Sequence, residues 1–75
     1  MANKKILVVE DHSDLRRLIT IYLDRAGYGV VEAETGLAAI ERANATRPDL
    51  ITMDLGLPDI TGDEAIARLK ADLST

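Results

Sequence analysis

Hydrophobic residues in this chain follow two alternating patterns. Short continuous apolar runs are separated by longer stretches in which apolar positions lie three and four apart. Ile6-Leu7-Val8-Val9 is bounded by charges and predicts a strand buried on both faces over residues 4–10. Leu15, Leu18, Ile19, Tyr22 and Leu23 recur at helical spacing. They predict a helix over 14–26, capped by Ser13 or Asp14 and stopped at Gly27. Residues 28–33 predict a second, less buried strand. Thr35 is a natural N-cap for a helix over 36–46, with Leu37, Ile40 and Ala43 on one face and Pro48 closing it off. Leu50-Ile51-Thr52-Met53 predicts a third strand over 50–54. A turn-rich loop with Gly56, Pro58 and Gly62 follows. A third helix over 63–73 then turns Ile66, Leu69 and Leu73 inward.

Strand then helix, three times over, implies an α/β fold: a parallel sheet with crossover helices. Right-handed crossovers that change direction after the second strand predict the spatial order 2-1-3. The first and third strands are then neighbours, about 4.8 Å apart. Their carboxyl ends share the switch point at which open α/β sheets bind ligands.

Seventy-five residues make at most one small domain. A chain of this size buries only about 60–65% of the surface it exposes when unfolded, so a partner or a staple is often needed. Without cysteine it has neither a disulfide nor a thiolate metal site. That composition, acidic and with no leader, suits the cytoplasm. The apolar run after Lys4-Lys5 is too short for a membrane segment. Nine basic residues against thirteen acidic ones give a net charge of −4, and the only aromatics are Tyr22 and Tyr28. Neither a basic face nor a stacking platform for nucleic acid is present in these residues.

Both buried-strand runs end in acid: Glu10-Asp11 after the first, Asp54 after the third. Side by side, these three carboxylates need a cation. Mg²⁺ prefers one or two carboxylates with waters and phosphate oxygens. With the ion bound, an incoming phosphoryl group can approach acids that would otherwise repel it. An aspartate can itself serve as the nucleophile. A lone acid at a strand end is ordinarily just solvated; it is the conjunction of three that points to a site. Among the other polar residues, His12 reads as solvent-exposed, Ser13 as a cap, Thr52 as a packing residue, and Asp59 and Asp63 as surface charges. Arg16 and Arg17 are the only cations near the rim, and are expected in solvent or paired with Asp14 or Glu10. Lys4 and Lys5 begin the first strand, about 20 Å from its acidic end.

The run Ile6-Leu7-Val8-Val9-Glu10-Asp11-His12, followed by Asp54-Leu55-Gly56-Leu57-Pro58-Asp59-Ile60-Thr61-Gly62, resembles the receiver domain of bacterial two-component response regulators. The resemblance extends from Lys4 to about Leu73. It implies a flavodoxin-like doubly wound sheet, here with three of five strand–helix units and truncated before strands 4 and 5. It makes Asp54 the phosphoacceptor, with Mg²⁺ held by Glu10, Asp11, Asp54 and the Gly56 carbonyl; glutamate at the first acidic position could reach the ion through a water. The implied donor is a sensor histidine kinase or a phosphotransfer protein, and the chain is a phosphoacceptor rather than an enzyme. The hydroxyl residue and the lysine that the family places after its fourth and fifth strands lie outside this sequence, which predicts impaired acceptance.

The third strand then lacks an outer neighbour within the chain, which predicts a homodimer through the 50–54 edge or exchanged elements. A truncated or engineered half-domain that self-associates without signalling is the competing reading. Nucleotide or flavin binding is disfavoured: the loop Asp11-His12-Ser13-Asp14 carries two acids and no glycine for phosphate approach.

Overall fold

β1 (Lys5–Val9) lies between β2 (Gly29–Ala33) and β3 (Leu50–Met53) in a three-stranded sheet of order β2-β1-β3. Both pairings are parallel. Lys5 to Val9 run beside Gly29 to Ala33, and Ile6 to Val9 run beside Leu50 to Met53. The architecture is the α/β sheet of order 2-1-3 expected from the sequence. The structure is a computed structural model, describing residues 4–53, 59 and 62–73.

The central place of β1 follows from its composition. Four consecutive apolar residues suit a strand covered on both faces, and Ile6, Leu7, Val8 and Val9 are all buried. α1 (Ser13–Arg25) packs on β2 and β1; α2 (Gly36–Thr46) packs on the same strands and on α3 (Gly62–Leu73). Leu7, Val9 and Ala33 form the core with Ala39 and Ala43 of α2, and Ile51 and Met53 pack against it. Because side chains alternate along a strand, Ile6 and Val8 face the α1 side.

The inner stripe of α2 differs from the expected one. Gly36, Ala39 and Ala43 are its buried residues, Ile40 is partly buried, and Leu37 is 52% exposed. Small residues at i and i+4 let the helix axis approach the sheet, which leaves Leu37 off the contact stripe. Ile66 of α3 is half-buried. The side chains of Leu69 and Leu73 lie outside the described residues.

The end of α1 shows why β2 starts at Gly29 rather than residue 28. The Gly27 amide donates to the Asp24 carbonyl at 3.0 Å, and the Tyr28 amide reaches back to the Leu23 carbonyl at 3.1 Å. This pair of bonds satisfies the last helical carbonyls, with Gly27 in the left-handed region at φ +96°. Tyr28 is thus part of the helix cap. At the same end of the sheet, the Lys5 amide donates to Asp49 Oδ2 at 2.8 Å and its ammonium reaches the Thr46 carbonyl at 3.4 Å. Lys5 is held away from the acidic rim, as its position in β1 requires. Among the described residues no helix is long and apolar enough to cross a membrane.

A Cβ on Gly27 would meet nothing within 4 Å, so only the backbone opposes a side chain there. Gly27→Ala is expected to lower unfolding free energy by about 1 kcal/mol, the cost of placing an L-residue in that region. Urea titration followed by far-UV circular dichroism measures the change.

Candidate metal centre

The carboxyl ends of β1 and β3 finish level. Val9 is partnered with Met53, and these are the residues immediately before Glu10 and Asp54. The adjacency on which the sequence argument rested is therefore present. Asp54 and Gly56 themselves lie outside the described residues, as does Pro58.

Glu10 continues the β1–β2 ladder one step beyond the strand, its amide donating to the Ala33 carbonyl at 3.0 Å. The residue is buried, 7% exposed. A buried carboxylate needs hydrogen-bond donors. The His12 amide supplies one, donating to Glu10 Oε2 at 3.2 Å, and the imidazole Nδ1 lies 3.3 Å from the same oxygen. His12 Nδ1 is also 3.3 Å from Asp11 Oδ1. One ligand atom from each of Glu10, Asp11 and His12 falls within 4.8 Å of the others. Two hard carboxylate oxygens that close together suit a small divalent ion such as Mg²⁺.

His12 was expected only to face solvent. Its side chain is exposed, yet its ring nitrogen sits on both carboxylates. It is also the N-cap residue of α1, in extended conformation and without a side-chain capping bond. The helix starts at Ser13, so neither Ser13 nor Asp14 is the cap; Asp14 lies in the first turn, where its charge favours the helix dipole.

Arg16 departs from expectation too. Its Nη1 donates to the Glu10 carbonyl at 2.8 Å and its Nε to Glu32 Oε1 at 3.0 Å, while Nη2 stands 3.8 Å from Glu34 Oε2. It is neither solvated nor paired with Asp14 or with the Glu10 carboxylate. From α2, Arg42 Nη1 donates to the Glu32 carbonyl at 2.9 Å. The sequence signal was faint: Glu32 lies in the second strand and Glu34 just past its end, and only the parallel β1–β2 register sets them beside the start of α1.

Asp59, read as a surface charge, is a cap. Its carboxylate accepts from the Gly36 amide at 2.8 Å and the Leu37 amide at 2.9 Å. Thr35 Oγ1 accepts from the Ala38 amide at 3.0 Å, the N-cap its sequence position predicted. Residue 59 is thereby bonded to the N-terminus of α2.

Family comparison agrees with this architecture. The response regulator receiver domain matches residues 6–75, and the chain belongs to that family. It is 41% identical over 68 residues to the alkaline phosphatase synthesis transcriptional regulatory protein PhoP of Bacillus subtilis, covering 91% of this chain and 28% of that protein. Among solved structures, the Vibrio cholerae chemotaxis protein CheY4 superposes with a TM-score of 0.92 at 32% identity, over 96% of this chain and 60% of that one. TrrA of Thermotoga maritima, solved with Mg²⁺-BeF, gives a TM-score of 0.86 at 32% identity, over 91% of this chain and 59% of that one. TrrA has also been solved in complex with the histidine kinase ThkA. The chain thus spans less than a third of its curated relative PhoP and about three fifths of these structural neighbours.

Asp59→Ala is expected to cost about 1 kcal/mol, the usual effect of losing a side chain that accepts from the first amides of a helix, here in addition to the N-cap Thr35. Hydrogen exchange gives the local readout: the Gly36 and Leu37 amides lose protection, while those of β1 follow only the global change.

Proposed function

We propose that this chain is a phosphoacceptor module of a two-component phosphorelay. Asp54 takes a phosphoryl group from the phosphohistidine of a sensor kinase or phosphotransfer protein. The observation that carries this reading is the Glu10–Asp11–His12 cluster at the carboxyl end of β1, level with the end of β3. Family membership supports it, as do the Mg²⁺-BeF and kinase complexes of TrrA.

In this reading an Asp54 carboxylate oxygen forms a bond to phosphorus as the bond from phosphorus to the donor imidazole nitrogen breaks; the imidazole leaves with its electron pair. Glu10 and Asp11 would hold Mg²⁺ together with Asp54 and the Gly56 carbonyl. Bound there, the ion supplies charge neutralisation for the transferring oxygens. The chain's own task is alignment, which β1 and β3 perform by ending at the same level. The module serves as substrate for a kinase and carries only self-phosphorylation chemistry. Incubation with acetyl phosphate and Mg²⁺ is expected to add about 80 Da, the mass of one phosphoryl group. Intact mass spectrometry detects the adduct. Its persistence in Asp54→Asn would overturn the assignment, and so would its absence from the wild type.

A second reading, a half-domain that self-associates, draws on the surface. α1 has no buried residue, and Leu18 and Tyr22 are 63% and 76% exposed. Leu50 of β3 is 57% exposed. Among the described residues, β1 is the only strand paired with β3. A homodimer joined along the 50–54 edge would give β3 a second strand neighbour. Light scattering across a dilution series is expected to show a dimer at micromolar concentration; a monomer throughout would exclude it.

A further inference from the structure

We propose that Arg16 is a positioning residue for the acidic pair, holding the Glu10–Asp11 peptide plane so that both carboxylates address one divalent ion. This rests on the metal reading of the cluster given above and adds to it the element that sets its geometry.

The ladder shows why a donor is needed. In the β1–β2 pairing the Glu10 amide donates to the Ala33 carbonyl. Continued one step further, the same parallel pattern would bring the residue 35 amide to the Glu10 carbonyl. Residue 35 is instead the N-cap of α2. The Glu10 carbonyl receives Arg16 Nη1 at 2.8 Å in its place. That carbonyl belongs to the peptide whose nitrogen is the Asp11 amide, so fixing it fixes the direction in which Asp11 leaves the strand.

Arg16 is itself fixed. Its side chain is 16% exposed, and Glu32 Oε1 holds Nε at 3.0 Å. A planar guanidinium can reach a carbonyl and a carboxylate at once in a set geometry; a lysine ammonium has no such fork. The result is visible in the cluster: Glu10 Oε2 and Asp11 Oδ1 each come within 3.3 Å of the same atom, His12 Nδ1.

Two roles for Arg16 give opposite signs. If it only balanced charge, its removal would leave the rim more negative, with Glu32 and Glu34 uncompensated, and Mg²⁺ would bind more tightly. If it positions the peptide, removal weakens binding although the charge favours it. Loss of a group that orients metal ligands usually costs tenfold or more in affinity.

The test uses the full chain and Mg²⁺ alone, by isothermal titration calorimetry and ¹⁵N NMR. Arg16→Gln is expected to raise the Mg²⁺ dissociation constant about tenfold, and to move the Asp11 amide nitrogen resonance before any metal is added. Arg16→Lys should recover only part of the affinity. Glu32→Gln, which keeps the bond to the Glu10 carbonyl, should stay within about twofold of wild type. A folded Arg16→Gln with unchanged or tighter Mg²⁺ binding overturns the proposal. Should Arg16→Gln fail to fold, Arg16→Lys decides: wild-type affinity with an unmoved Asp11 resonance overturns it. A wild-type chain that takes up no Mg²⁺ overturns the metal reading itself, and this inference with it. Wild-type uptake unaffected by Arg16→Gln removes only the role of Arg16.

Discussion

The structure depends on β1 being paired on both edges and covered on both faces. Leu7 and Val8 are wholly inaccessible to solvent, and Val9 nearly so. In a chain this small, one such strand is a large share of the apolar area removed from water. Its two parallel pairings also set the register of everything else. Pairing with β2 sets Glu32 opposite Val8 and ties the Glu10 amide to the Ala33 carbonyl, so that Glu32 and, just past the strand, Glu34 lie near the end of β1. Pairing with β3 brings residues 9 and 53 level, so the two acid-bearing continuations start from one line. The hydrophobic run that makes β1 a core strand is thus also what gathers the described carboxylates, those of Glu10, Asp11, Glu32 and Glu34, at one rim.

Gathering them has an electrostatic cost, and the described residues show how it is met. Glu10 is buried, with the His12 amide donating to its carboxylate and the His12 ring nitrogen 3.3 Å from the same oxygen. Arg16 and Arg42 come from helices on opposite faces of the sheet and meet around Glu32, one at its carboxylate and the other at its carbonyl. The cations are therefore spent on the second strand and on backbone, while the carboxylates of Glu10 and Asp11 converge on an imidazole nitrogen. An imidazole carries a charge only when its ring is protonated, unlike a guanidinium or a divalent ion. The centre of the cluster stays electrostatically receptive while its flanks are neutralised.

Much of this was legible in the sequence, and the reasons are local. The continuous run of β1, the helical spacing of α1, Gly27 and Pro48 as stops and Thr35 as a cap act within a few residues of themselves. Strand order then followed from connection handedness, and the acidic pair from its position at a strand end. What was missed depends on long-range pairing. Asp59 caps amides 22 and 23 residues earlier in the chain, and Arg16 binds Glu32 16 residues away. Nothing local distinguishes such residues from solvated charges. The inner stripe of α2 was misread for a related reason: close packing against the sheet favoured Ala39 over the larger Leu37.

α1 belongs to two surfaces at once. Its first turns carry Arg16, clasped to the ends of β1 and β2, and its later turns carry the exposed apolar groove of Leu18, Ile19, Tyr22 and Leu23. Arg16 and Tyr22 are six residues apart, about 9 Å along the helix axis. Hydrogen-bonded helices transmit displacement with little internal give, and side chains three and four apart share a face. A body seated on Leu18 and Tyr22 would press on the same rigid rod that fixes the Glu10 carbonyl. Because no residue of α1 is fully buried, the polar clasp at its start carries more of the helix's attachment to the sheet than it would in a helix anchored by a buried apolar stripe. The helix that carries the exposed surface is therefore also the one that holds the Glu10 carbonyl.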